Sequence, residues 1–147
     1  MTYADQKIKP NWLYKLQSLN SYSIKIFNIM SNETLNKYGI SLNKLSNGII
    51  ETKANSNSLN CYIYMLTRQK QMLLDFIETI NLVLLSGSVK YEEREWSIEL
   101  GLQIYTGVIQ ENLTLDLFLE DHYEETLENF PLSDIKEILK SILELLT

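Results

Sequence analysis

Apolar and polar residues alternate most regularly between Trp96 and Glu120. Trp96, Ile98, Leu100, Leu102, Ile104 and Val108 fall at every second position, with Thr106 as the gap, which is the period of a half-buried strand. Leu113, Leu115, Leu117 and Leu119 repeat the alternation one register over. Directly opposed residues of an antiparallel pair share a face, so the two apolar sets meet on one face only if the connection has even length. A loop of Ile109 to Asn112, or its inner pair Gln110 and Glu111, satisfies this and sets Val108 against Leu113, Ile104 against Leu117 and Leu102 against Leu119. A one-residue slip would expose the leucines, at roughly 1.5 to 3 kcal/mol for each. The opposite face carries Glu99, Gln103, Asp116 and Glu120, with Tyr105 and Phe118 as apolar exceptions for a partner to meet.

Elsewhere the period changes along the chain. Trp12, Leu13, Leu16 and Leu19 predict a short helix capped by Asn11, and Ser21 to Ile29 alternates as a strand. Ser31 caps a helix through Leu35 and Tyr38, which Gly39 stops in the left-handed conformation. Ile40, Leu42 and Leu45 lack a clean period and read as a connection. Asn47 and Gly48 form a turn before a short strand of Ile49, Ile50, Glu51 and Thr52. Asn55 to Ser58 reads as a loop, and Leu59, Cys61, Ile63 and Met65 alternate as the second arm of a hairpin. Leu73, Phe76, Ile77, Ile80 and Leu84 recur at helical spacing and Gly87 ends them, although Ile80 to Leu85 suits a buried strand equally well. Ser133 caps a last helix with a stripe of Ile135, Ile138, Leu139, Ile142, Leu143 and Leu146.

The resulting order, α-β-(α)-β-β-α-β-β-α, predicts an α+β fold in a single domain over residues 1–147. A mostly antiparallel sheet of about five strands is expected, with helices packed on one face. With the short helix after Met30 taken as an insertion, the order becomes α-β-β-β-α-β-β-α. That order resembles the topology of the small acidic type III secretion chaperones, which are similar also in size, acidity and lack of catalytic motifs. The resemblance lies in element order, and no residue motif carries a site across.

Charge adds a second pattern. Residues 1–70 hold nine Lys or Arg against three acids, a net +6, and residues 71–147 hold four against sixteen, a net −12. In the expected hairpin Glu95 lies at the same end of the sheet as Glu120 and Asp121. Glu92, Glu93, Glu95, Glu120, Asp121, Glu124 and Glu125, with Tyr105 and Phe118, therefore make the expected partner-binding surface. The expected partner is another protein with a basic surface, and unlike halves also allow a homo-oligomer. The alternative is a nucleic-acid-contacting accessory protein that uses the basic first half with Tyr3, Tyr14, Tyr22, Tyr38, Tyr62 and Tyr64. Against it, no two of the nine basic residues are adjacent, no helix-turn-helix or RRM signature is present, and the pI is near 4.8. Nucleic acid is accordingly not an expected partner.

Candidate chemistry is sparse. His122 is the only histidine, and a small enzyme or metal protein would have to use it with Asp121. No HExxH, EF-hand loop, P-loop, GxGxxG or GxSxG is present, so neither a cofactor nor a metal is expected. Cys61, the only cysteine, cannot form an intramolecular disulfide and reads as a buried structural thiol. The first residues lack the apolar run of a signal peptide, and the longest nearly uncharged apolar run, Ile80 to Leu85, is too short to span a bilayer. A cytoplasmic protein with no membrane segment is expected. The functional expectation is a non-enzymatic protein-binding module, a small acidic inhibitor, immunity-type or chaperone-like protein that occupies a partner's surface.

Overall fold

The strands of the computed structural model, which describes residues 32–100, 103–119 and 125–147, form two antiparallel sheets. The chain divides into units 1–33 and 34–147, and the elements below belong to the second except where a range begins earlier. The expected helix around Trp12 and the strand over Ser21 to Ile29 lie outside the described residues. A short helix, α1, covers 32–37 and is followed by β1 (Ser41–Lys44) and β2 (Ile50–Lys53), which pair as a hairpin. Two helices come next, α2 (Asn57–Leu66) and α3 (Lys70–Ser86). A meander of β3 (Glu95–Leu100), β4 (Gln103–Ile109), β5 (Thr114–Leu119) and β6 (Glu128–Pro131) builds the larger sheet. It is closed by α4 (Leu132–Leu146).

The α+β class and the antiparallel character are as the sequence pattern predicts. Gly39 and Gly87 both take the left-handed conformation at helix ends, with φ of 63° and 76°. The α3 helix runs unbroken to Ser86, so Ile80 to Leu85 is helical, and the Gly87 amide donates to the Val83 carbonyl at 2.8 Å. Along α4, Ile135, Ile138, Leu139 and Ile142 are buried as the stripe requires. Its cap differs from expectation: Pro131 is the N-cap, without a side-chain bond, and Ser133 is already inside the helix.

Residues 59–65 are helical where a strand was expected. Ser56 accepts from the Leu59 amide at 3.1 Å, so the Asn55 to Ser58 stretch starts a helix where it read as a loop. Leu59, Tyr62, Ile63 and Leu66 then recur at i, i+3, i+4 and i+7 and are the buried residues, with Met65. The order that resembled the secretion chaperones depended on a strand here and is not the observed one. Ile40 to Leu45, expected as a connection, contains β1 instead.

The expected strand from Trp96 to Val108 is two strands. β3 ends at Leu100 and β4 begins at Gln103, with Leu100 paired to Gln103. Reversal of the chain there exchanges the faces. Ile98 lies opposite Tyr105, which lies opposite Leu119, and Ile109 lies opposite Leu115, which lies opposite Phe130. These residues share the face that packs with α2, α3 and α4 into one core. Odd-numbered positions of β4 therefore face the core, contrary to the expected parity.

The loop has odd length as a consequence. The Gln110 amide donates to the Thr114 carbonyl at 2.8 Å and the Leu113 amide to the Gln110 carbonyl at 3.1 Å, a three-residue connection with Leu113 in the left-handed position at φ 62°. Tyr105, expected on a partner-facing surface, is in the core. Phe118 does lie on the opposite face, but it is buried there at 9% exposure, as is Thr106, which shares a 2.7 Å hydrogen bond with Ser97.

Candidate functional site

The outer face of the sheet carries the candidate site at the end where the β4–β5 turn lies. Glu95, Val108, Asp116 and Asn129 form one row across all four strands, because each is the direct partner of the next. Successive strands lie about 4.8 Å apart, so Glu95 and Asp116 are separated by about 10 Å on the same face. Beyond this row the Arg94 carbonyl accepts from the Ile109 amide at 2.9 Å, which extends the β3–β4 ladder and fixes the start of the Arg94 side chain.

Arg94, Gln110, Glu111, Asn112, Thr114, Asp116 and Asn129 line an open concavity of about 540 Å³ there. Asp116 is its hub: Gln110 Nε2 donates to one carboxylate oxygen at 3.0 Å and Asn129 Nδ2 to the other. The same Asn129 amide reaches Thr114 Oγ1 at 3.0 Å, and the Thr114 hydroxyl donates to Asn112 Oδ1 at 2.7 Å. Arg94 Nη2 pairs with Glu111 Oε1 at 3.0 Å, while Arg94 Nε is buried without a partner.

Tyr91 stands at the Arg94 side, its ring centroid 6.0 Å from the guanidinium carbon, and is 84% exposed. Its position is nevertheless fixed. The 3-10 turn Tyr91–Glu93 is held by a 2.9 Å hydrogen bond from Trp96 Nε1 to the Glu93 carbonyl, and the Trp96 ring stacks on Phe76 of α3 at 4.5 Å. The turn beneath the ring is thus anchored while the ring itself is presented to solvent. On α3 itself Leu82 and Leu85 are exposed, at 55% and 86%.

Of the residues expected at the site, Glu92 and Glu95 are exposed beside this region and Glu93 is half-buried. Glu120, Asp121 and Glu124 lie outside the described residues, and Glu125 is exposed just beyond them. Glu95 lies level with Val108 and Asp116, whereas β5 ends at Leu119, level with Tyr105 and Ile98, so Glu95 is at the other end of the sheet. His122, on which the enzyme or metal alternative rests, is also outside the described residues. Among the described residues no group of three or more His, Cys, Asp or Glu is placed to hold a metal.

Several other side chains are committed to the fold. Cys61 is half-buried in α2, and burial, followed by Cys61, raises the pKa of Tyr105. Tyr62, expected as a stacking residue in the nucleic-acid alternative, is fully buried, and Tyr38 donates to Asp134. Arg68 lies over Tyr64 at 5.8 Å, in a smaller cleft of about 250 Å³ formed with Gly48, Ile49, Ile50 and Thr67.

Arg94, Gln110, Asn112, Thr114 and Asn129 were not expected at a site. Their side chains come together through the β3–β4 and β4–β5 registers and through β6, whose Pro131 end reads as a break in the sequence. No protein-family model, curated protein or solved structure matches the chain.

Proposed function

We propose that the chain is a non-enzymatic protein-binding module, of the small acidic inhibitor, immunity or chaperone kind, that occupies a partner's surface. The contact is made by the sheet end containing Tyr91, Arg94, Glu111, Asn112 and Asn129, rimmed by Glu92 and Glu95. One observation carries this reading: a tyrosine on an anchored turn, 84% exposed, faces an arginine beside an open polar concavity. Tyr and Arg are the residue types in which binding energy concentrates at protein interfaces. Small-molecule sites are usually enclosed and mostly apolar, unlike this one. The acids at the rim favour a basic partner and speed its approach.

No helix among the described residues is long and apolar enough to cross a membrane, and a cytoplasmic setting is part of the proposal. A photo-crosslinking amino acid placed at Tyr91 or Asn112, in cells that naturally make the protein, is expected to capture one and the same protein. Placed at Asn43 of β1, it is expected to capture none. Equal capture at Asn43, or none at Tyr91 and Asn112, would contradict the reading.

A further inference from the structure

We propose that the concavity receives an arginine side chain of the partner, an assignment that rests on the protein-binding reading and names its chemistry. Asp116 fixes the orientation of its neighbours. An ionised carboxylate only accepts hydrogen bonds, so Gln110 and Asn129, both bonded to it, must turn their NH2 groups inward. Thr114 Oγ1 accepts from Asn129 and therefore gives its own proton to Asn112 Oδ1. The amide orientations follow from this chain of donors, since any flip would set a carbonyl oxygen against the carboxylate. Among the neutral side chains the unspent acceptors are Gln110 Oε1 and Asn129 Oδ1, beside a negative charge, while the unspent donors are the Asn112 NH2 group and, at the Arg94 side, the buried Nε.

The charges point the same way. Arg94 and Glu111 compensate each other, and Asp116 is bonded to neutral amides, so these lining residues carry one net negative charge. Glu95, in the same cross-sheet row, adds to it. A cation rich in donors complements this arrangement, and the geometry selects guanidinium over ammonium. The acceptors belong to separate residues, and guanidinium spreads five N–H groups in a plane whereas an ammonium offers three from one point. Tyr91, which already faces one guanidinium, offers an exposed ring to another.

The test uses the intact protein and Nα-acetyl-arginine amide, with Nα-acetyl-citrulline amide as its uncharged counterpart. Side-chain NH2 signals of Gln110, Asn112 and Asn129 are followed by NMR during titration. Saturable shifts are expected with the arginine probe, and binding of the citrulline probe is expected to be at least about tenfold weaker, because the charge-assisted hydrogen bonds are lost. Asp116→Asn, which keeps the shape and removes the charge, should abolish the arginine shifts. Gln110→Ala, which removes one acceptor and leaves the carboxylate, should weaken them.

Absence of saturable shifts, equal binding of the two probes, or undiminished binding by a folded Asp116→Asn protein would each overturn the arginine assignment. If the arginine probe fails while crosslinking at Tyr91 still captures one partner, the assignment falls and the protein-binding reading stands. If both fail, both fall.

Discussion

Gly107 has no side chain because Tyr62 occupies the space. A Cβ there would lie 2.6 Å from the Tyr62 hydroxyl and 3.1 Å from Leu115 Cδ1. The hydroxyl donates to the Trp96 carbonyl at 2.7 Å, so a helix side chain is tied to the β3–β4 ladder. Gly107→Ala is expected to cost about 1 to 3 kcal/mol in urea denaturation, the usual range for overpacking, and adding Tyr62→Phe should recover part of it. Leu113 gives a second test, because its left-handed backbone costs a non-glycine residue about 1 to 2 kcal/mol while its side chain packs against the core. Leu113→Ala loses the packing and keeps the strain, so it should melt lower than Leu113→Gly. Tyrosine titration supplies a third. Burial, reinforced by the hydrogen bond to Asp134, lifts the Tyr38 phenol from 10.0 to about 12, and burial raises Tyr62 further. A folded pKa above the unfolded one gives stability that is complete below pH 10 and lost as the pH rises toward 12. Melting temperature should therefore fall over that window, and less steeply in Tyr38→Phe.

At the scale of elements, what the sequence made legible depended on whether one periodicity excluded the other. The α4 stripe has only a helical reading, and Gly39 and Gly87 stop helices through a conformation that other residues adopt at a cost. Residues 59–65 satisfy both periods, since apolar residues fall at 59, 61, 63 and 65 and also at 59, 62, 63 and 66. Ser56 decided between them, and its role as a cap was hidden among neighbouring Asn and Ser residues. The reversal between Leu100 and Gln103 was obscured for another reason: Ile98 to Ile104 continues the alternation across it, and only Gly101 marks the break. That missed reversal moved the parity of β4 and with it the end of the sheet at which Glu95 lies. The candidate concavity was illegible for the same reason, because Arg94, Asp116 and Asn129 meet only in the correct register. In the observed register Ile109–Leu115 and Gly107–Leu117 are non-hydrogen-bonded pairs, given the hydrogen bond between Gln110 and Thr114. Strong Hα–Hα NOEs are expected within both pairs, and an NOE between Val108 and Leu113 in their place would restore the even-length loop.

At the largest scale, the core of the described residues takes one face of the larger sheet and three helices, and the turn end of the other face carries the proposed contact surface. Charge acts there over longer range than contact does. Glu92 and Glu95 are exposed, so reversing them to Lys should leave the melting temperature nearly unchanged and slow association with a basic partner, less so at high salt. Stopped-flow rates indifferent to both salt and reversal would show that these acids only solvate the surface. Tyr91 bears most on the proposed contact surface, because its turn is held by Trp96 and yet its ring is exposed. Calorimetric titration of the crosslinked partner should show Tyr91→Ala weakening binding by about 2 kcal/mol or more, the scale of an interface hot spot, with an unchanged melting temperature and with Asn43→Ala indistinguishable from the wild type. A folded Tyr91→Ala protein that binds as tightly as the wild type would contradict the assignment of this surface.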